Sequence, residues 1–323
     1  MMTKTLFFAF LITQSFVGQN IHFVDAESME PVSFASISFG NGLGSFADAN
    51  GIFLFEKKKY EDVDSLFVSS MGYKDLHIAT NQLLEIYTMT LEIDQLQEVV
   101  LITAKQGKYK NKEIKPIAHS NYFHSWLPTV ESEVAVLFNK IDNQSTKIAT
   151  LLFPINIEES VGGKSSKTRD FSTMLRAKFY ENKNGFPGNE INYGNVVFVI
   201  SEKDNKELFE LDVSERNIFI PQNGLFVSLQ VLGTTDNKGV LLQTKKYNEI
   251  KTPRGIQKVS ITFRPLLPFT NVIPGEKTFV RRIFFNDRKW QTFNLKYNPN
   301  SELIGKGYNN YGMGAKLHVY END

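Results

Sequence analysis

The chain has 323 residues, of which 41% are apolar and 13% aromatic, with 27 Phe; this is enough for two domains, each with its own core. Its formal net charge of +1 falls to zero once Lys4, the single charged residue of the first nineteen, is set aside, which excludes a global field steering the protein to nucleic acid or anionic lipid. There is no cysteine, which excludes disulfides, thiolate metal sites, a cysteine nucleophile and a lipid-anchored N-terminal Cys.

Residues 1–19 read as a secretory signal. Lys4 is the positive start, Leu6 to Ile12 the apolar stretch, and Ser15 to Gln19 the small and polar residues expected around cleavage. No later segment approaches the ~20 apolar residues of a membrane helix. The expected product is exported, to the periplasm, the outer-membrane surface or the outside, with no transmembrane segment.

The first unit is expected over residues 20–102. Ile21 to Val24 opens it as a strand, and Asp25 to Pro31 is a polar turn. Val32 to Phe39 alternates, with Ala35, Ile37 and Phe39 on one face and Ser36 and Ser38 on the other. Leu43 to Phe55 reads as a hairpin turning at Asp48-Ala-Asn-Gly51, because Asn and Gly tolerate positive φ. After the charged turn Glu56 to Asp62, strands are expected at Asp64 to Tyr73, Ile86 to Leu91 and Glu98 to Ile102.

The succession Glu30-Pro31-Val32, Gly44-Ser-Phe-Ala-Asp48, Asn50-Gly51-Ile-Phe53, Asp64-Ser-Leu66, Ser69-Ser-Met-Gly72-Tyr73 and Leu96-Gln-Glu-Val-Val100 resembles the carboxypeptidase-like regulatory domain, a transthyretin-like β-sandwich. Ala47 stands where Thr is usual, and Val32 where Leu is usual. The resemblance covers about 80 residues. It implies the fold and a setting, since such domains are common in envelope proteins of Bacteroidetes-type bacteria. It implies no single activity, because family members serve very different partners.

Residues 103–128 read as a linker. Lys105, Lys108, Lys110, Lys112 and Lys115 stand against one acid, Glu113, in a stretch too polar to bury much. A solvated connector and a basic docking strip are the two readings.

The second unit is expected over residues 129–323. In Thr173 to Tyr180, Leu175, Ala177 and Phe179 face one way, and Met174, Arg176, Lys178 and Tyr180 the other. Asn182 to Gly188 is turn-rich. Further strands are expected at Glu133 to Phe138, Ile148 to Phe153, Val196 to Ile200, Leu208 to Val213, Ile218 to Ile220, Leu225 to Val231, Val259 to Phe263, Phe279 to Phe285 and Lys316 to Tyr320. Nine or ten strands without an amphipathic helix predict a larger, jelly-roll-like sandwich. The fold class is therefore all-β, two sandwiches in tandem. The stretch Leu175 to Gly188, with Glu210 to Val213 and Gly224 to Leu229, also resembles the C-terminal domain that accompanies the same N-terminal unit in other Bacteroidetes-type proteins, and implies no activity.

Catalytic patterns are incomplete. Of five histidines, only His318-Val-Tyr-Glu321 has His-x-x-Glu spacing, and residues three apart on a strand point to opposite faces. His119 and His124 have no carboxylate close by in sequence. Gly162-Gly-Lys-Ser-Ser166 lacks the first Gly of a phosphate loop, and no Gly-x-Ser-x-Gly elbow occurs. No catalytic, metal or cofactor residue is assigned. Trp290, Tyr297, Tyr308 and Tyr311, the last two in a Gly- and Asn-rich stretch, are the candidate contacts for a glycan or partner; the alternative is that they cap the sandwich edge. The expected function is a non-catalytic envelope protein that binds another envelope protein or a glycan. The alternative is a peptide or glycan hydrolase with paired carboxylates in the second sandwich.

Overall fold

The computed structural model describes residues 18–92, 107–157, 170–204, 207–243, 245–253, 255–285 and 288–321. The signal expected over residues 1–19, apart from Gly18 and Gln19, lies outside them, as do the strand expected at Glu98 to Ile102 and the Gly162 loop. Nearly all the regular secondary structure among the described residues is strand, and no helix among them is long and apolar enough to cross a membrane.

The first body contains β1 (Gln19–Asp25), β2 (Ser36–Ser38), β3 (Gly44–Phe46), β4 (Ile52–Phe55), β5 (Ser65–Ser69), β6 (Leu76–Ala79) and β7 (Ile86–Met89). They form two sheets, ordered β4-β1-β7 and β3-β2-β5-β6. Alternation sends Ile21, Phe23, Ile37, Phe53, Leu66 and Val68 into the core between them. The turn at Asp48 forms, but it does not close a hairpin between two paired strands. Its two strands belong to different sheets, so it is a corner that carries the chain across the sandwich. Asp48 holds it by accepting from the Asn50 and Ile52 amides at 2.9 and 2.8 Å. Gly51 sits at φ 70°, and a Cβ there would meet the Phe23 carbonyl at 2.5 Å, so no other residue fits.

The second body contains β8 (Tyr109–Ile114), β9 (Ser125–Trp126), β10 (Ser132–Phe138), β11 (Thr146–Pro154), β12 (Ser172–Lys183), β13 (Phe186–Ser201), β14 (Leu208–Asp212), β15 (Leu225–Thr234), β16 (Asn248–Thr252), β17 (Gly255–Val259), β18 (Leu267–Thr270), β19 (Thr278–Arg282), β20 (Gln291–Thr292), β21 (Asn310–Tyr311) and β22 (Gly314–Tyr320). A six-stranded sheet, β13-β12-β15-β10-β19-β20, faces a four-stranded one, β14-β11-β22-β8. One core joins Val134, Leu175, Phe179, Val227 and Val280 of the first to Ile148, Phe153, Leu317 and Val319 of the second. The short sheet β21-β18-β9 and the hairpin β16-β17 complete it.

The stretch 103–128 is not simply a linker. Its residues 109–114 are β8, the edge strand of the four-stranded sheet, paired along its length with β22. Backbone pairing overrides its polar composition, and its lysines remain exposed.

The two bodies meet at the β3 end of the first. Phe34 and Phe46 leave their own sandwich to join the second body's core, and Phe46 lies 5.5 Å from Phe284. Gly44 allows this approach, because a Cβ there would meet the Phe284 ring at 2.4 Å. Ser38 donates to the Phe284 carbonyl at 2.8 Å. Ion pairs Lys246–Asp62 at 2.6 Å and Arg288–Asp75 at 3.3 Å flank the contact.

Candidate functional site

Beside that contact lies a cleft of about 690 Å³, within the ~300–1,000 Å³ of small-molecule sites. Ser33, Ser36, Ser69, Ser70 and Asp75 line it from the first body. Arg176, Lys178, Glu190, Asn195, Gln230 and Arg281 line it from the outer face of the six-stranded sheet.

Register explains how the floor is assembled. Directly paired residues on adjacent strands share a face. Arg176 of β12 pairs with Gln230 of β15, Gln230 with Glu133 of β10, and Glu133 with Arg281 of β19. Four polar side chains thus form one row across four strands. In the neighbouring row Lys178 pairs with Ser228. Opposite Lys178, β13 inserts extra residues between Ile191 and Val196. Gly194, at φ 77°, turns within this bulge, and Arg216 fastens it by donating to the Tyr193 and Asn195 carbonyls, each at 3.3 Å. The bulge forms the rim of the cleft.

The row is densely bonded. Glu133 is fully buried. It accepts from Tyr180 Oη at 2.6 Å, Ser228 Oγ at 2.5 Å and Arg281 Nε at 2.9 Å. Burial alone would raise its carboxyl, but the Arg281 and Lys178 charges and the hydroxyl donors outweigh it and hold the pKa down at about 2. Burial likewise opposes the Arg281 charge, and the facing Glu133 carboxylate reverses this and raises the Arg281 pKa. The Arg281 guanidinium also lies over Trp290 and Tyr180, at 4.6 and 5.0 Å from the ring centroids.

Lys178 pairs with Glu190 at 2.6 Å; burial lowers its pKa and the Glu190 charge acts against that. Arg176 is 6% exposed. It donates from Nε and Nη2 to Gln230 Oε1 at 3.0 and 2.7 Å, and from Nη1 to the Phe34 carbonyl at 3.2 Å. Its ring neighbour is Phe46, at 5.5 Å. Burial lowers its pKa, the opposite direction to Arg281 on the same sheet face.

The four aromatic residues singled out from sequence do not form one surface. Trp290 stands over Arg281, with its indole N–H buried and without a partner. Tyr297 packs on Phe293 at 5.8 Å, and Tyr308 stacks on His124 at 3.8 Å. Tyr311 is a core residue, 1% exposed, whose hydroxyl donates to the Pro154 carbonyl at 2.8 Å. Its Asn- and Gly-rich surroundings suggest a loop, but pairing with β18 draws it inside. His119 and His124 lie edge to face at 6.1 Å, and His119 Nε2 is bonded to the Phe269 carbonyl. His318 stacks on Tyr109, while Glu321 pairs with Lys110. No cluster of three or more His, Asp or Glu suited to a metal occurs among the described residues.

Comparison with known proteins adds little. No family model and no curated protein matches the sequence. A solved structure of the cysteine protease and lectin-like domains of Cwp84, a surface layer associated protein of Clostridium difficile, is similar at a TM-score of 0.33 and 9% identity. The match covers 94% of this chain and 50% of that one, so this chain spans about half its length.

Proposed function

We propose that this chain is an exported, non-catalytic binding module, and that a polar group of an envelope glycan or envelope protein seats in the cleft between its two sandwiches. One observation carries the reading: the cleft takes its walls from both bodies and its floor from a row of buried, mutually positioned polar side chains. Burying such groups is costly unless they are paired or hydrogen-bonded; here they bond to one another, which holds them in fixed positions at the base of the cleft. The apolar start of the chain and the resemblance of residues 20–102 to the carboxypeptidase-like regulatory domain support the envelope setting. The hydrolase alternative needs a carboxyl that stays protonated to act as general acid. In this floor Glu133 is held ionised by Arg281, and Glu190 is tied to Lys178.

Asn195 is exposed on the rim of the cleft, so Asn195→Trp fills it without touching the core. Immobilised wild-type protein is expected to retain a component of an envelope extract that N195W does not. Equal retention by both would remove the cleft from the function.

A further inference from the structure

Five cations line the cleft, Lys74, Arg176, Lys178, Arg281 and Arg288, and Arg176 differs from the three that are ion-paired. Lys178 faces Glu190, Arg281 faces Glu133 and Arg288 faces Asp75. Arg176, the most deeply buried of them, donates to an amide oxygen and a peptide carbonyl. Both acceptors are neutral. Gln230 receives the guanidinium fork where a Glu would have cancelled the charge. Glu190 and Glu133 act on its charge through space, but no carboxylate is hydrogen-bonded to it, and a buried cation without a direct partner is expensive to keep.

Donor counting points the same way. A guanidinium has five N–H groups, and three are used. One N–H on each terminal nitrogen remains, at a side chain that lines the cleft. Planar Arg is suited to carboxylate and phosphate oxygens. The same cleft is lined by Ser36, Ser69, Ser70 and Asn195, small hydrogen-bonding side chains suited to a polyol.

We propose that the cleft is an oxyanion site: Arg176 holds the carboxylate or phosphate of an acidic sugar, and Lys178 adds a second cation beside it. This inference rests on the reading of the cleft as the binding site and names the ligand class for it. The bound anion supplies the hydrogen-bonded carboxylate or phosphate partner that Arg176 lacks within the fold. Arg281 takes no part, because Glu133 already occupies its fork.

The test is calorimetric titration of the full chain with glucuronate, glucose 6-phosphate and glucose, with the Asn195 amide signal followed by NMR as a cleft reporter. Binding of one or both anions, at least tenfold tighter than glucose and weakened by 0.5 M salt, is expected; which anion binds separates carboxylate from phosphate. Arg176→Met is expected to lower the affinity at least tenfold. If R176M does not fold, Arg176→Lys, which keeps the charge and loses the fork, and Lys178→Met are read instead, each expected to weaken binding. Equal binding of glucose and the anions, unchanged in these variants, would overturn the oxyanion assignment and keep the cleft as a binding site. Binding of none of the three probes, with no movement of the Asn195 signal, would overturn the assignment of acidic sugars; whether the cleft then binds anything at all is decided by the N195W capture experiment.

Discussion

Two buried glutamates, two positions apart on the chain, have carboxyls shifted in opposite directions. Glu133 is ringed by cations and donors, and its carboxyl is held at about 2 against an ordinary 4.5. A depressed carboxylate contributes stability that is present above its unfolded value and lost as pH falls towards the folded one. Glu131 is 3% exposed, one of its oxygens has no hydrogen-bond partner, and burial raises its pKa. Its contribution is present below the ordinary carboxylate range and lost as pH rises through the folded value. Denaturant unfolding across pH 2 to 8 checks both. Glu133→Gln is expected to cost about 3–5 kcal/mol at pH 7, because Arg281 loses its counter-charge, and to flatten the decline between about pH 4.5 and 2. Glu131→Gln is expected to be more stable than wild type at pH 7 and to lose that advantage in acid. The same slope in all three proteins would contradict the assignment.

Lysine placement explains β8. Lys110 and Lys112 pair with Val319 and Leu317, which face the core, so these lysines stand on the core-facing side of an edge strand, at its margin, with their side chains still exposed. Inward-pointing charge on an edge blocks the addition of another strand. The double variant Lys110→Val/Lys112→Val is expected to shift the protein to larger species in size-exclusion chromatography as concentration rises. A profile identical to wild type would mean that the lysines have no such role. This strand was not legible in the sequence, since a Lys-rich segment low in apolar residues reads as a connector, and its pairing partner lies some 200 residues away. The all-β class was legible, because period-2 alternation and Gly or Asn corners are local signals. In β12 the facing was readable from Leu175 onwards: Leu175, Ala177 and Phe179 go to the core and Arg176, Lys178 and Tyr180 to the other side, whereas Met174, expected with the latter, joins the core across a register shift at Met174/Leu175. Alternation does not tell a solvated face from one covered by a second body. The corner at Asp48 shows a related limit, for its turn chemistry was right but the partner of each flanking strand is set by long-range pairing.

The site itself depends on the assembly of both bodies. Arg176, Gln230, Glu133 and Arg281 come from four strands and meet only through register. No spacing in the chain announces them. In the sequence Trp290 is simply an aromatic residue towards the C-terminus, and its neighbours in the fold, Arg281 and Tyr180, could not be inferred. The first sandwich is more than an appendage: Phe34 and Phe46 complete the second body's core, and the Phe34 carbonyl orients Arg176. Anchoring and site-building are thus done by the same short segment, which couples the integrity of the cleft to the docking of the two bodies.

A backbone-amide chemical-shift map of the intact protein during titration with glucuronate tests this most directly. The cleft reading predicts that signals from both walls, Ser69 to Asp75 in the first body and Arg176 to Lys178 with Asn192 to Asn195 in the second, move together along one binding isotherm. Movement confined to Tyr297 to Tyr308, or to one body alone, would contradict it.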